Sequence, residues 1–211
     1  SDAVDLVNFV LDDVQEFWSG EFERAGETYP VSTLVLFEQQ VSTGGCGTAS
    51  AGVGPFYCPG DNKAYIDVGY MLRLQDQLGA EGDFSQAYIL AHEIGHHVQT
   101  VVGTNEAVRN AQAGASRAEA NELSVRMELQ ADCLAGMWAR SAQQRGLLDV
   151  GDLDEGVNAA SAVGDDAITG SSNQENFTHG TSAQRVRWFR VGFDTGSYSE
   201  CDTFSPSYGS L

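Results

Sequence analysis

Residues 83–102, DFSQAYILAHEIGHHVQTVV, decide how this chain is to be read. The stretch is apolar almost all round, carries no internal Pro, and stops at Gly103, so it predicts a helix set in the middle of the molecule. Asp83 and Gln86 stand in the spacing of a capping box at its start. His92 and His96 are four residues apart, about 40° of rotation and one turn of rise, so both imidazoles leave the same face. Two such rings can hold one Zn²⁺. Glu93 between them is near enough to act on a metal-held water without being a ligand, which makes HExxH a hydrolase signature when a third ligand exists. His97 lies about 140° around from His92 and is expected to be structural.

The third ligand is sought on another element, and Glu128 is the candidate, in Arg126-Met-Glu128-Leu-Gln-Ala-Asp132-Cys133. Glu-x-x-x-Asp is again one helical turn. Glu128 can meet the metal while Asp132 accepts from the outer nitrogen of a ligating histidine, fixing its tautomer. Small residues at 131, 135 and 136 would let the two helices approach. The competing reading makes Glu128 and Asp132 a solvated face paired with Arg126 or Arg140.

Around these helices the pattern is mixed. Val4, Val7, Val10, Leu11, Val14, Phe17 and Trp18 recur at helical spacing between Asp2 and about Glu23. Ser32 to Val41 and Lys63 to Val68 read as strands, the second entered through a turn at Gly60-Asp61-Asn62. Short helical runs are expected over Tyr70–Leu78 and over Leu153–Val163, the latter opening at Asp152 with Glu155 as capping partner. A long helix is expected from Ser116 to Arg145, and another opens on the capping box Thr181/Gln184. The fold class is α+β, with a few early strands and helices thereafter. One domain is expected over 1–211, with room for two lobes about a cleft. Disorder is expected only at the ends and in the Gly/Ser/Asn-rich stretch 170–176.

Thirty acidic residues against eleven basic give a net charge of −19, which repels phosphate backbones and argues against nucleic acid as a partner. Four cysteines without a CxxC pair offer neither a zinc ribbon nor a thioredoxin motif. Their even number suggests two disulfides and an oxidising compartment. Of the three pairings, Cys46–Cys58 would close a Gly-rich loop and Cys133–Cys201 would tie the C-terminal tail to a central helix. No stretch reaches the roughly 20 apolar residues of a membrane span. The chain starts at Ser1, so a signal peptide or membrane tether is expected to lie outside it where the protein has one.

The sequence resembles the bacterial putative neutral zinc metallopeptidase family. The resemblance rests on Gly54–Pro59 (GPFYCP), 82–87 (GDFSQA), 91–99 (AHEIGHHVQ), 128–133 (ELQADC), 164–166 (GDD) and 178–185 (THGTSAQR), in that order along the chain. It also looks like the gluzincins, whose third ligand is the Glu of Glu-x-x-x-Asp. That likeness implies a zincin-like small mixed sheet packed on the HExxH helix, with an edge strand that binds extended substrate; Lys63–Val68 is the candidate. The expected function is zinc-dependent hydrolysis of peptide bonds outside the cytoplasm. His92, His96 and Glu128 would be ligands, Glu93 the general base, and His179 the donor to the oxyanion. Tyr65, Tyr88 and Arg185 stay unassigned. The rivals are a zinc hydrolase of some non-peptide amide or ester, and a cell-envelope scaffold with structural zinc.

Overall fold

The computed structural model describes residues 2–50, 53–67, 69 and 83–211. The first helix, α1 (Asp2–Arg24), turns Val7, Val10, Val14 and Trp18 inward at the expected spacing. A polar contact fixes its docking: Asp13 Oδ2 accepts from Trp138 Nε1 at 2.8 Å, and Arg145 closes on the same carboxylate.

Five short strands follow: β1 (Thr33–Phe37), β2 (Gln40–Ser42), β3 (Thr48–Ser50), β4 (Phe56–Cys58) and β5 (Lys63–Asp67). The expected 32–41 strand is thus two strands, broken at Gln39, whose φ of 66° no strand accommodates. Three strands form a mixed sheet in the order β1-β5-β4. There β5 runs parallel to β1, with Thr33 opposite Lys63, and antiparallel to β4, with Cys58 opposite Lys63. The 63–68 segment is therefore the central strand, not the edge expected from the resemblance. Ala64, Tyr65, Ile66 and Asp67 are all buried, so both faces of this strand are covered; Val68 lies outside the described residues. The edge strand whose residues Phe56 and Tyr57 line the cleft described below is β4.

Strands β2 and β3 pair as a separate hairpin. Its tip packs backbone to backbone on the 60–62 turn. A Cβ on Gly45 would stand 2.7 Å from Gly60 Cα, so neither position tolerates a side chain. The Cys46–Cys58 disulfide closes this corner.

The remainder is helical: α2 (Asp83–Val101), α3 (Thr104–Gln112), α4 (Arg117–Gln144), α5 (Asp152–Ala162), α6 (Asp165–Thr169) and α7 (Ser182–Thr195). With α1 this makes seven α-helices among the described residues. Helix α2 is the central one, packed against α1, α4 and α5. The expected capping box opens α7, Thr181 and Gln184 each bonding the other's backbone, and Ser116 caps α4 the same way with Glu119. Glu155 behaves differently from expectation. It leaves its own helix and accepts from Phe84 N–H at 3.3 Å, serving a free donor in the first turn of α2. The helix expected over Tyr70–Leu78 lies outside the described residues. Residues 170–176 end in a 3₁₀ turn, Gln174–Asn176, whose Glu175 carbonyl accepts from Asn121.

Helices α4 and α7 meet almost without side chains between them. A Cβ on Gly136 would fall 2.0 Å from Phe189 O, and one on Gly192 would fall 1.8 Å from Cys133 O. Gly136 therefore serves the α4–α7 contact rather than the α2–α4 contact expected of it. Beyond α7 the tail folds back on α4 through Cys133–Cys201, with Gln130 Nε2 donating to Cys201 O and Arg126 to the carbonyls of Thr203, Phe204 and Pro206. No helix among the described residues is long and apolar enough to cross a membrane.

Candidate metal centre

Helix α2 brings His92, Glu93 and His96 to the floor of a cleft of about 470 Å³. It can run so close to α4 because Gly95 faces Ala131: a Cβ on Gly95 would already be 3.1 Å from Ala131 O. That approach carries Glu128 to the two histidines. His92 Nε2 and Glu128 Oε2 are 3.1 Å apart, His96 Nε2 and Glu128 Oε1 3.3 Å, and the two Nε2 atoms 3.1 Å. Atoms bound at about 2.0–2.1 Å to a tetrahedral centre stand about 3.3 Å from one another, so the spacing fits three ligands of one small cation. Among the described residues this is the one cluster of His, Cys, Asp and Glu with metal-site spacing.

Charge points the same way. Glu93, Glu128 and Asp132 are three largely buried carboxylates facing a single buried cation, Arg185. With neutral imidazoles the cluster carries about two uncompensated negative charges, which a divalent ion offsets. The titration directions reflect this excess. Burial opposes charge on His92, yet Asp132 and Glu128 outweigh it and push its pKa up to about 10. His96 is raised likewise, burial being overcome by Glu128. Burial pushes the Glu93 carboxyl up, only partly offset by the two histidines.

Each ring is held from behind. His92 Nδ1 donates to Asp132 Oδ1 at 2.8 Å, the contact expected of Asp132. His96 Nδ1 lies 2.8 Å from Gln99 Oε1, and Gln99 is anchored through Nε2 to Met127 O and Gln130 Oε1. Asp132 also accepts from Tyr88 OH (2.5 Å), Arg185 Nε (2.8 Å) and Arg185 Nη2 (3.0 Å). Sequence reasoning missed the parts played by Gln99, Tyr88 and Arg185. Gln99 could have been found, since it sits three residues beyond His96 on the same helix. Arg185 comes from a helix 53 residues past Asp132, and no local pattern announces it. The proposed solvated face is ruled out: Arg126 and Arg140 spend their donors on carbonyls of the C-terminal segment, and Arg140 binds Phe193 O and Asp194 O.

Glu93 has no hydrogen-bond partner among the described residues and faces the cleft. His97 points away from it, bonded at Nε2 to Pro30 O and at Nδ1 to Tyr57 OH, so it ties α2 to β4. His179 also lines the cleft, half-exposed. Asp165 positions it: Oδ1 lies 3.1 Å from His179 Nδ1, while Oδ2 accepts from the backbone N–H groups of Thr178 and His179. The neighbouring Asp166 takes Ser182 N and Oγ and so fixes the start of α7. Tyr65 OH donates to Asp61 and takes no part in the cleft. The two disulfides, Cys46–Cys58 and Cys133–Cys201, point to an oxidising, non-cytoplasmic environment.

Comparison with known proteins agrees with this centre. The family model described as putative neutral zinc metallopeptidase matches residues 1–204. The uncharacterized protein YpfJ of Escherichia coli K12 is 47% identical over 210 residues, covering 98% of this chain and 73% of that protein. Uncharacterized proteins Mb2605 of Mycobacterium bovis and Rv2575 of Mycobacterium tuberculosis are each 46% identical over 185 residues, covering 81% of this chain and 61% of theirs. No solved structure matches the chain.

Proposed function

The chain belongs to the putative neutral zinc metallopeptidase family, and on that footing we propose that it is a zinc-dependent endopeptidase acting outside the cytoplasm. The observation that carries the reading is the convergence of His92 Nε2, His96 Nε2 and Glu128 on one point, beside a carboxylate, Glu93, with no hydrogen bond among the described residues. A structural zinc site is normally closed by a fourth protein ligand and has no use for a free carboxylate next to it.

His92, His96 and Glu128 would hold the ion, with Asp132 and Gln99 fixing the outer nitrogens of the two rings. Zinc, when bound, would supply Lewis acidity toward a scissile carbonyl and toward water. Glu93 would take a proton from the attacking water and hand it to the departing amine. His179, oriented by Asp165, donates to the developing oxyanion. The extended substrate runs along the outer edge of β4, where Phe56 and Tyr57 line the cleft.

The test is Glu93→Gln on zinc-loaded protein. Zinc content by elemental analysis stays at one per chain, while cleavage of denatured casein or a peptide library falls by about 10²–10⁴. Unchanged turnover removes Glu93 from the mechanism. Silence of the fully loaded parent protein on every peptide points instead to a non-peptide amide or ester.

A further inference from the structure

Helix α3 follows α2 directly after Gly103, beyond His96 in the chain, and contributes Asn105, Val108, Arg109 and Gln112 to the lining of the cleft. These positions are i, i+3, i+4 and i+7, a single helix face. The wall is held in place, since Gln112 Nε2 donates to Ala120 O and Ser124 Oγ on α4, both at 3.0 Å.

Arg109 is the charged member of this face. In a chain with 30 acids and 11 bases, an arginine readily finds an oxygen. Arg24 and Arg145 pair with carboxylates, Arg126, Arg140 and Arg187 with carbonyls, and Arg185 with Asp132, while Arg117 and Arg190, neither of which lines the cleft, carry no such bond among the described residues. Arg109 is exposed and has no such partner among the described residues, although Glu106 lies one turn away on the same helix. Of the two arginines that line the cleft among the described residues, Arg185 is spent on Asp132, and Arg109 has its donors free.

Resting on the peptidase reading above, we propose that Arg109 determines specificity by binding a substrate carboxylate in the part of the cleft that α3 lines. A planar guanidinium offers two parallel N–H donors to such a group. The carboxylate comes either from an Asp or Glu side chain or from a free C-terminus close to the scissile bond. The overall charge of −19 opposes an acidic substrate at a distance, but at about 0.15 M salt it is screened beyond roughly 8 Å, whereas a direct pair persists.

The experiment measures binding, so it does not depend on turnover. Zinc-loaded Glu93→Gln protein is titrated with labelled peptides of fixed length carrying Glu or Gln at each position in turn, each with a free or an amidated C-terminus. The expected result is about tenfold tighter binding for Glu than for Gln at one position or a run of neighbouring positions. The preference disappears in Glu93→Gln/Arg109→Gln and survives in Glu93→Gln/Arg190→Gln, which removes an equal charge away from the cleft. A preference that follows the free C-terminus instead of the Glu identifies the terminal carboxylate as the source. Peptides that bind equally well with Glu and Gln and with either terminus overturn the role of Arg109 and leave the peptidase reading intact. Failure of every peptide to bind overturns both.

Discussion

Asp132→Asn is the perturbation that tests the metal centre most sharply. Asp132 is fully buried and its two oxygens accept four bonds: Tyr88 OH, His92 Nδ1 and Arg185 Nη2 on Oδ1, and Arg185 Nε on Oδ2. Asparagine keeps one acceptor, and the arrangement that loses least puts its NH₂ against Arg185 Nε–H, donor facing donor. The larger loss is the charge. Breaking a buried pair by removing one partner costs about 3–5 kcal/mol, and Glu128, 3.7 Å from Arg185, remains as a counter-ion, which favours the lower end. Separately, His92 loses its charged acceptor, worth about 10–100-fold in zinc affinity. Denaturant melts of zinc-stripped protein read the first effect, and competition with a chelating indicator reads the second. The double variant Asp132→Asn/Arg185→Met separates them, because it removes the stranded guanidinium without restoring an anion behind His92. Stability should largely return while zinc affinity stays low. Full recovery of both, or an unchanged zinc affinity in Asp132→Asn, would refute the assignment of Asp132 as the group that orients His92.

Gly136→Ala places a methyl 2.0 Å from Phe189 O, so α4 and α7 must part by about 1 Å, costing about 1–3 kcal/mol and stretching the Asp132–Arg185 bonds. Thermal melts should show the loss there and none in Gly114→Ala, where the added carbon meets open space. Asp13 is pushed up by burial, but bonds from Arg145 and Trp138 prevail and hold it below the ordinary carboxylate range. A lowered folded-state pKa gives stability that is present above about pH 4, the unfolded value, and is lost as pH falls through the folded one. Asp13→Asn should therefore be less stable than the parent at pH 7, with the gap narrowing as pH falls below about 4; a gap independent of pH would contradict this. Replacing Cys133 and Cys201 together by Ala opens a loop of 68 residues, and chain entropy puts the stability loss at up to about 4 kcal/mol, measurable by denaturant melts.

The sequence by itself determined the local chemistry. His92, Glu93 and His96 share a face because helical periodicity leaves no other arrangement, and the same holds for Glu128 and Asp132. The capping box at Thr181, the glycine stop at 103 and the α+β class were equally local readings. The tertiary structure alone decided what depends on elements distant in sequence. Strand β5 became central because β1 and β4 both pair with it, and pairing partners leave no mark within a five-residue strand. Glu155 went to the first turn of α2, and Gly136 to the face of α7, because packing chose their neighbours. Arg185 closes on Asp132 because glycine contacts let α4 approach α2 on one side and α7 on the other. Periodicity fixes which side chains share a helix face, but which faces meet is set by long-range packing.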